Sequence, residues 1–160
     1  MSRSDGRHGM ELTPEALMRR VTKAFAANDT RPLMDVIDDN TVWKSASAPD
    51  GPFQFGGAYR GRAGIAEVTS SIFSAYTFYR FEAKEIVESG EIVWGLFEVE
   101  ASYHPKKDRN RPAIPIRYDC AMRWRVRNGK LIEYQSFFDT ASLLYQQGEL
   151  NSPPQSGASR

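Results

Sequence analysis

Few side chains in this sequence have the chemistry of a catalyst. Asp139 directly follows an expected strand over 130–138 and precedes Thr140-Ala141-Ser142-Leu143-Leu144. A carboxylate at the mouth of an apolar pocket, its pKa raised by the walls, would abstract an acidic proton or activate a water. The same carboxylate can cap the helix that follows by accepting from backbone N–H groups. The two roles are compatible. Tyr118 and Tyr59 carry phenols able to donate a hydrogen bond to a substrate carbonyl. Glu98 and Glu100 share one strand face, as an acid–base carboxylate or as surface charges at a strand end. His104 stands before Pro105 and a polar loop, and His8 lies in a polar N-terminal stretch, so the two histidines make no metal constellation. No metal site is expected. Cys120, the one cysteine, cannot form an internal disulfide or a cysteine zinc site. On the apolar face of its strand it reads as a core thiol.

The elements that must position these groups follow from periodicity and turn signals. Thr13-Pro14-Glu15 has the cap, the first-turn proline and the acid of a helix start. Leu17, Val21, Ala24 and Phe25 repeat at helical spacing up to a stop near Asn28-Asp29. Thr30 is expected to cap a second short helix that buries Leu33, Met34 and Ile37, and a strand starts at Thr41-Val42-Trp43. Residues 47–58 read as loop, and Gly61-Arg62-Ala63-Gly64 leads into a third helix with Ile65, Val68, Ile72 and Phe73 inward. From residue 77 the composition turns aromatic and β-branched. Strands are expected over 77–88, 91–104, 114–127 and 130–138, with turns at Ser89-Gly90 and Asn128-Gly129, and a helical turn over 140–147. In 114–127, Ile116, Tyr118, Cys120, Met122, Trp124 and Val126 alternate with Arg117, Asp119, Ala121, Arg123, Arg125 and Arg127. The first set should face an interior and the second solvent. In 91–104 both faces are apolar in the first half, which points to a second subunit against the sheet. The order predicts an α+β fold, a strongly curved antiparallel sheet with helices on one face, forming a cone.

Composition bounds the function. The chain has 160 residues, a net charge of +1 and 12% aromatic residues. A near-neutral charge excludes an electrostatic grip on nucleic acid. No apolar run approaches the ~18–20 residues of a membrane span. Residues 1–11 have no apolar core for a secretory signal. A cytoplasmic protein is expected, with loose tails over 1–11 and 148–160 around one domain over 12–147. The aromatic excess needs a place, and Trp43, Phe55, Tyr59, Phe73, Tyr76, Tyr118 and Trp124 are candidate pocket walls.

Four segments carry a family resemblance: Ala27-Asn28-Asp29 with Asp39-Asn40-Thr41-Val42, Phe55-Gly56-Gly57-Ala58-Tyr59-Arg60-Gly61-Arg62-Ala63-Gly64-Ile65, Arg127-Asn128-Gly129-Lys130-Leu131-Ile132, and Phe137-Phe138-Asp139-Thr140-Ala141 with Leu143-Leu144. In their order the chain resembles the SnoaL-like branch of the nuclear-transport-factor-2-like (NTF2-like) superfamily, which also holds ketosteroid isomerases. The resemblance implies a cone-shaped pocket, often a homodimer, and varied chemistry. The catalytic positions of ketosteroid isomerases fall here on Lys44, Val21 and Met122, none of which can play its part. The Arg-x-Asp that epoxide hydrolases of the superfamily carry on a central strand is absent from Glu98-Val99-Glu100-Ala101, and Arg117-Tyr118-Asp119 has the spacing but points outward. SnoaL-like polyketide cyclases carry an acid–base Asp before a Leu-rich turn and a Gln, which Asp139, Leu143, Leu144 and Gln146 resemble.

Two functions follow as expectations. One is a cofactor-independent isomerase, cyclase or hydrolase acting on an apolar carbonyl- or ring-bearing molecule. Asp139 would be its acid or base, Tyr118 or Tyr59 would orient the substrate, and Trp43, Phe55, Met122 and Trp124 would form the walls. The other is a non-catalytic small-ligand-binding protein or a dimerising interaction domain. The expected partners are a small apolar molecule and a second copy across the sheet.

Overall fold

The computed structural model describes residues 11–106 and 110–150. The tail expected over 1–11 lies outside the described residues except for Glu11, as does that over 148–160 beyond Leu150.

Helix α1 (Pro14–Ala26) starts as its sequence requires, with Thr13 Oγ1 accepting from the Ala16 N–H at 3.2 Å. It buries Leu17, Met18, Val21, Thr22 and Phe25. Asn28, in the left-handed region at φ 56°, turns the chain out of the helix. Its side-chain amide then donates to Phe78 O at 2.8 Å and accepts from Phe78 N at 2.9 Å, pinning the helix end to a distant strand. Helix α2 is one turn, Arg31–Met34. Thr30 makes no side-chain cap bond, contrary to expectation; a carboxylate serves the helix start instead, Asp29 Oδ1 accepting from the Arg31 N–H at 3.0 Å.

Strand β1 (Val42–Lys44) is followed by a loop and by β2 (Ala58–Arg60), a strand where the sequence predicts only the end of the loop and the approach to the third helix. Helix α3 (Gly61–Ala75) runs directly into β3 (Tyr76–Ser89), then β4 (Ile92–Tyr103), β5 (Ile114–Arg127), β6 (Lys130–Phe137) and α4 (Thr140–Gln146). The β3–β4 turn is Gly90-Glu91, one residue beyond the expected place, since Ser89 still pairs with Ile92. Asn128 and Gly129 form the β5–β6 turn with φ of 49° and 67°, the left-handed pair such a hairpin demands.

The six strands form one unclosed, curved sheet in the order β2-β1-β6-β5-β4-β3. Every pairing is antiparallel except β1 with β6, which is parallel. Register shifts between Phe78 and Arg80 and between Ala83 and Glu85 in β3, and between Leu131 and Glu133 in β6, which face Val126 and Arg125, supply local bends. Helix α1 packs against β3, β4 and β5.

Strand parity decides what is buried. The inner face carries Val93, Phe97, Val99 and Ala101 of β4, and Ile116, Cys120, Met122, Trp124 and Val126 of β5. The outer face carries ion pairs: Glu98 lies 2.8 Å from Arg80 and 2.9 Å from Arg117, and Asp119 lies 2.7 Å from Lys84. The Arg117 hydrogen bond, then the charges of Arg117, Arg80 and Lys84, hold Glu98 below the usual carboxylate range. Burying one large apolar side chain stabilises by about 1.5–3 kcal/mol, against about 0–1 kcal/mol for an exposed ion pair. The inner face therefore fixes the register. No helix among the described residues is long and apolar enough to cross a membrane.

Candidate functional site

Between α1, α2, α3 and the concave side of the sheet lies an apolar cavity. It has about 50 Å³ of space for the centre of a water-sized sphere. At about 10–15 Å³ per water in that measure, it is the size of a few water molecules.

Three neighbouring strands build one wall in register. Trp43 of β1 pairs with Tyr134 of β6, and Tyr134 pairs with Trp124 of β5. The Trp43 and Tyr134 rings stack at 3.6 Å and 11°, and Trp124 lies 5.9 Å from Tyr134. Met122, Cys120 and Tyr118 continue the β5 side, while Val21, Thr22 and Phe25 of α1 face them. At the other end stand Phe55, Tyr76 and Phe138. Phe55 comes from the loop after β1, which folds inward because Phe53 packs on Phe55 at 5.1 Å and on Phe138 at 5.8 Å.

Phe55 and Tyr76 also line a second, polar cleft of about 390 Å³ in the same measure, so they partition the two spaces. The cleft carries Lys106, Arg111 and Glu149, with Tyr103 donating to Glu149 and Lys106 to Gln54. Tyr76 is held from that side by buried Gln147, whose Nε2 donates to its hydroxyl at 2.5 Å.

Of the expected walls, Trp43, Phe55, Tyr118, Met122 and Trp124 line the apolar cavity, as does Tyr76. Tyr59 does not. Its hydroxyl donates to Gly56 O at 3.1 Å, and β2, at the sheet edge, carries it away from the cavity lining. Phe73 is also outside, packed on Phe25 at 5.2 Å. Asp139 is exposed and outside the lining, with Oδ1 accepting from the Ser142 N–H at 2.9 Å as the cap of α4. Gln146 docks that helix on β5 by bonding the backbone N–H and C=O of Arg117 at 2.9 and 3.0 Å. His104 is exposed, its ring nitrogen 2.8 Å from Thr77 Oγ1.

The sequence reading missed Tyr134 and Ser136. Both line the cavity because β6 skips a residue of alternation: Leu131 pairs with Val126 but Glu133 with Arg125. Simple parity from Leu131 would have placed Glu133 inside.

The electrostatics of the cavity are uniform. No carboxylate, imidazole, ammonium or guanidinium lines it. Its ionisable groups are three phenols and a thiol, all kept neutral. Burial pushes Tyr118 far above the usual phenol range, and burial likewise raises Tyr134, against a hydrogen bond with Ser136. Burial raises Tyr76 as well, opposed by its bond to Gln147. Burial pushes the Cys120 thiol up to about 12. A charge placed in such a lining would be buried without a partner, which is costly, whereas a neutral group would not. Among the described residues no group of three or more His, Cys, Asp or Glu is placed to hold a metal ion.

A family model described as SnoaL-like domain matches residues 18–134. Solved structures of the same architecture include a candidate isomerase from Rhodopseudomonas palustris, 24% identical over 84% of this chain and 94% of its own, with a TM-score of 0.68. An NTF2-like protein of unknown function from Burkholderia pseudomallei is 20% identical over 81% and 93%, with a TM-score of 0.67. A candidate polyketide cyclase from Streptomyces antibioticus is 20% identical over 86% and 99%, with a TM-score of 0.68. At these identities the likeness is one of fold. No match is found among curated proteins.

Proposed function

The chain belongs to the SnoaL-like domain family, and within it we propose a protein that binds a neutral, ring-bearing small molecule in the aromatic-walled cavity, whose side chains part to widen its about 50 Å³ for the ring. One observation carries this reading: the cavity lining holds no charged side chain, and its phenols and thiol are held protonated by burial. Acid–base catalysis needs a group that changes protonation near the working pH, and the lining offers none. Tyr118 instead offers a protonated hydroxyl as a hydrogen-bond donor. The reading is tested by mass spectrometry on small molecules released when the purified protein is denatured, together with a thermal-shift panel of neutral aromatic compounds. A bound neutral ring compound, or stabilisation by such compounds, is expected. Stabilisation by anionic or cationic compounds alone would refute it.

A second reading, a cofactor-free isomerase, cyclase or hydrolase with Asp139 as acid or base, is favoured by one placement. Asp139 follows Phe138, which lines the cavity. For catalysis its carboxylate would have to leave the Ser142 N–H and turn inward. An Asp139→Asn variant that keeps full turnover of an identified substrate removes this reading.

We also propose that two copies pair through the outer face of the sheet. Trp94, Leu96 and Phe137 are each 37–44% exposed there, and the Trp94 and Phe137 rings stack at 5.9 Å across β4–β6. Exposed Val87 of β3, opposite Trp94, and half-buried Ala121 of β5, between Leu96 and Phe137, extend them into an apolar patch that a second copy would cover.

A further inference from the structure

We propose that the indole N–H of Trp124 is the anchor of the cavity, donating a hydrogen bond to the carbonyl oxygen of a neutral cyclic or aryl ketone. This rests on the reading of the cavity as a ligand site and names the group that the ligand must present.

Trp124 is 1% exposed, lines the cavity, and its Nε1 finds no hydrogen-bond acceptor among the described residues. The neighbouring buried polar side chains are satisfied. Thr22 Oγ1 donates to Met18 O at 2.8 Å, Thr41 Oγ1 to Leu131 O at 2.6 Å, and Gln147 Nε2 to the Tyr76 hydroxyl at 2.5 Å. Buried polar groups are in general paired, so an orphan donor on a cavity wall marks where a ligand atom completes the bond.

The chemistry of that atom follows from what surrounds it. An indole N–H only donates, so the ligand atom is an acceptor. No lining cation would compensate a carboxylate or phosphate, so the acceptor is neutral, and a carbonyl oxygen is the strong neutral acceptor. The stacked Trp43–Tyr134 pair beside Trp124 offers flat apolar faces, so the carbonyl is borne by a ring.

Acetophenone and α-methylstyrene test this, because they differ only in C=O against C=CH₂. The protein is labelled with ¹⁵N, and its three tryptophans give three indole signals, the Trp124 signal being assigned by its loss in Trp124→Phe. Acetophenone is expected to bind roughly fivefold more tightly than α-methylstyrene and to move the Trp124 indole proton downfield, the hydrocarbon leaving it near its free position. In Trp124→Phe the preference for the ketone should vanish. If that variant does not fold, the affinity ratio and the indole shift of the unaltered protein decide alone. Equal binding of the two probes with no downfield shift overturns the anchor and leaves the ligand site standing. Binding of neither overturns the ligand site and the anchor with it.

Discussion

Raising the pH from 8 to 10 should destabilise this protein, and one buried proton should carry a separable share of the loss. Cys120 is 4% exposed, and burial raises its thiol from an ordinary 9.0 to about 12. Below pH 9 the thiol is protonated in both the folded and the unfolded chain, and the stability is complete. Above pH 9 the unfolded chain releases the proton and the folded chain keeps it, so stability falls as the pH rises toward about 12. Each pH unit in that window is worth about 1.36 kcal/mol, and the whole window about 4 kcal/mol. That is a large share of the ~5–15 kcal/mol by which domains are stable. The buried phenols Tyr76, Tyr118 and Tyr134, whose ordinary value is 10.0 and which burial also raises, add to the loss from about pH 9 upward, so the thiol's share is read as a difference between variants. The assay is a series of urea titrations, followed by far-ultraviolet circular dichroism, at closely spaced pH values from 8 to 10. The thiol's share of the slope of the unfolding free energy should approach about 1.36 kcal/mol per pH unit near pH 10, with the buried phenols adding to it. Cys120→Val, close in volume and suited to a strand, should remove the thiol's share of that slope and leave the phenols' share, whatever it does to the absolute stability. If the variant loses stability with pH as steeply as the original chain, the burial of this thiol is not what the structure describes.

Other expected outcomes are equally direct. Asp139→Ala should cost about 1 kcal/mol by removing the cap of α4, whereas Asp139→Asn should cost almost nothing, both read by denaturant titration. Gly95→Ala should destabilise by about 1–3 kcal/mol in the same assay, because a Cβ there would stand 2.3 Å from the Phe97 ring and 2.8 Å from Met18 Sδ, both fully buried. Trp94→Glu should leave the far-ultraviolet spectrum unchanged and convert the proposed dimer to a monomer in sedimentation velocity; a monomeric starting protein would refute the pairing.

Much of the fold could be read from residue order because the signals were local. Asn128-Gly129 prescribes a hairpin by backbone conformation alone, and alternation along β5 sorted Ile116, Cys120, Met122, Trp124 and Val126 inward without reference to any other strand. What escaped was non-local or too short. Strand β2 has three residues and exists by pairing with β1, so no periodicity announces it. The parallel partnership of β1 with β6 joins Trp43 to Tyr134, a contact that alternation within either strand does not reveal. The candidate site divided the same way. Walls on β5 were legible, Tyr134 and Ser136 were hidden by the irregularity of the β5–β6 register, and Tyr59 was misplaced because β2 was unseen. For Asp139 the sequence held a cap and a catalyst side by side, and the hydrogen bond to Ser142 N–H realises the cap.

The partnership of β1 with β6 also imposes an order on assembly. Strands β3 to β6 are joined in sequence and can zip up as successive hairpins, each contact closing a modest loop. Strand β1 must wait, because its sheet neighbour lies about ninety residues downstream, Trp43 opposite Tyr134. Closing so distant a contact is slow relative to local pairing. During synthesis the first sixty residues leave the ribosome with α1, β1 and β2 made but the strand that receives them not yet translated. The aromatic row that walls the cavity is therefore the last part of the sheet to form, and a chain stalled before residue 130 lacks it.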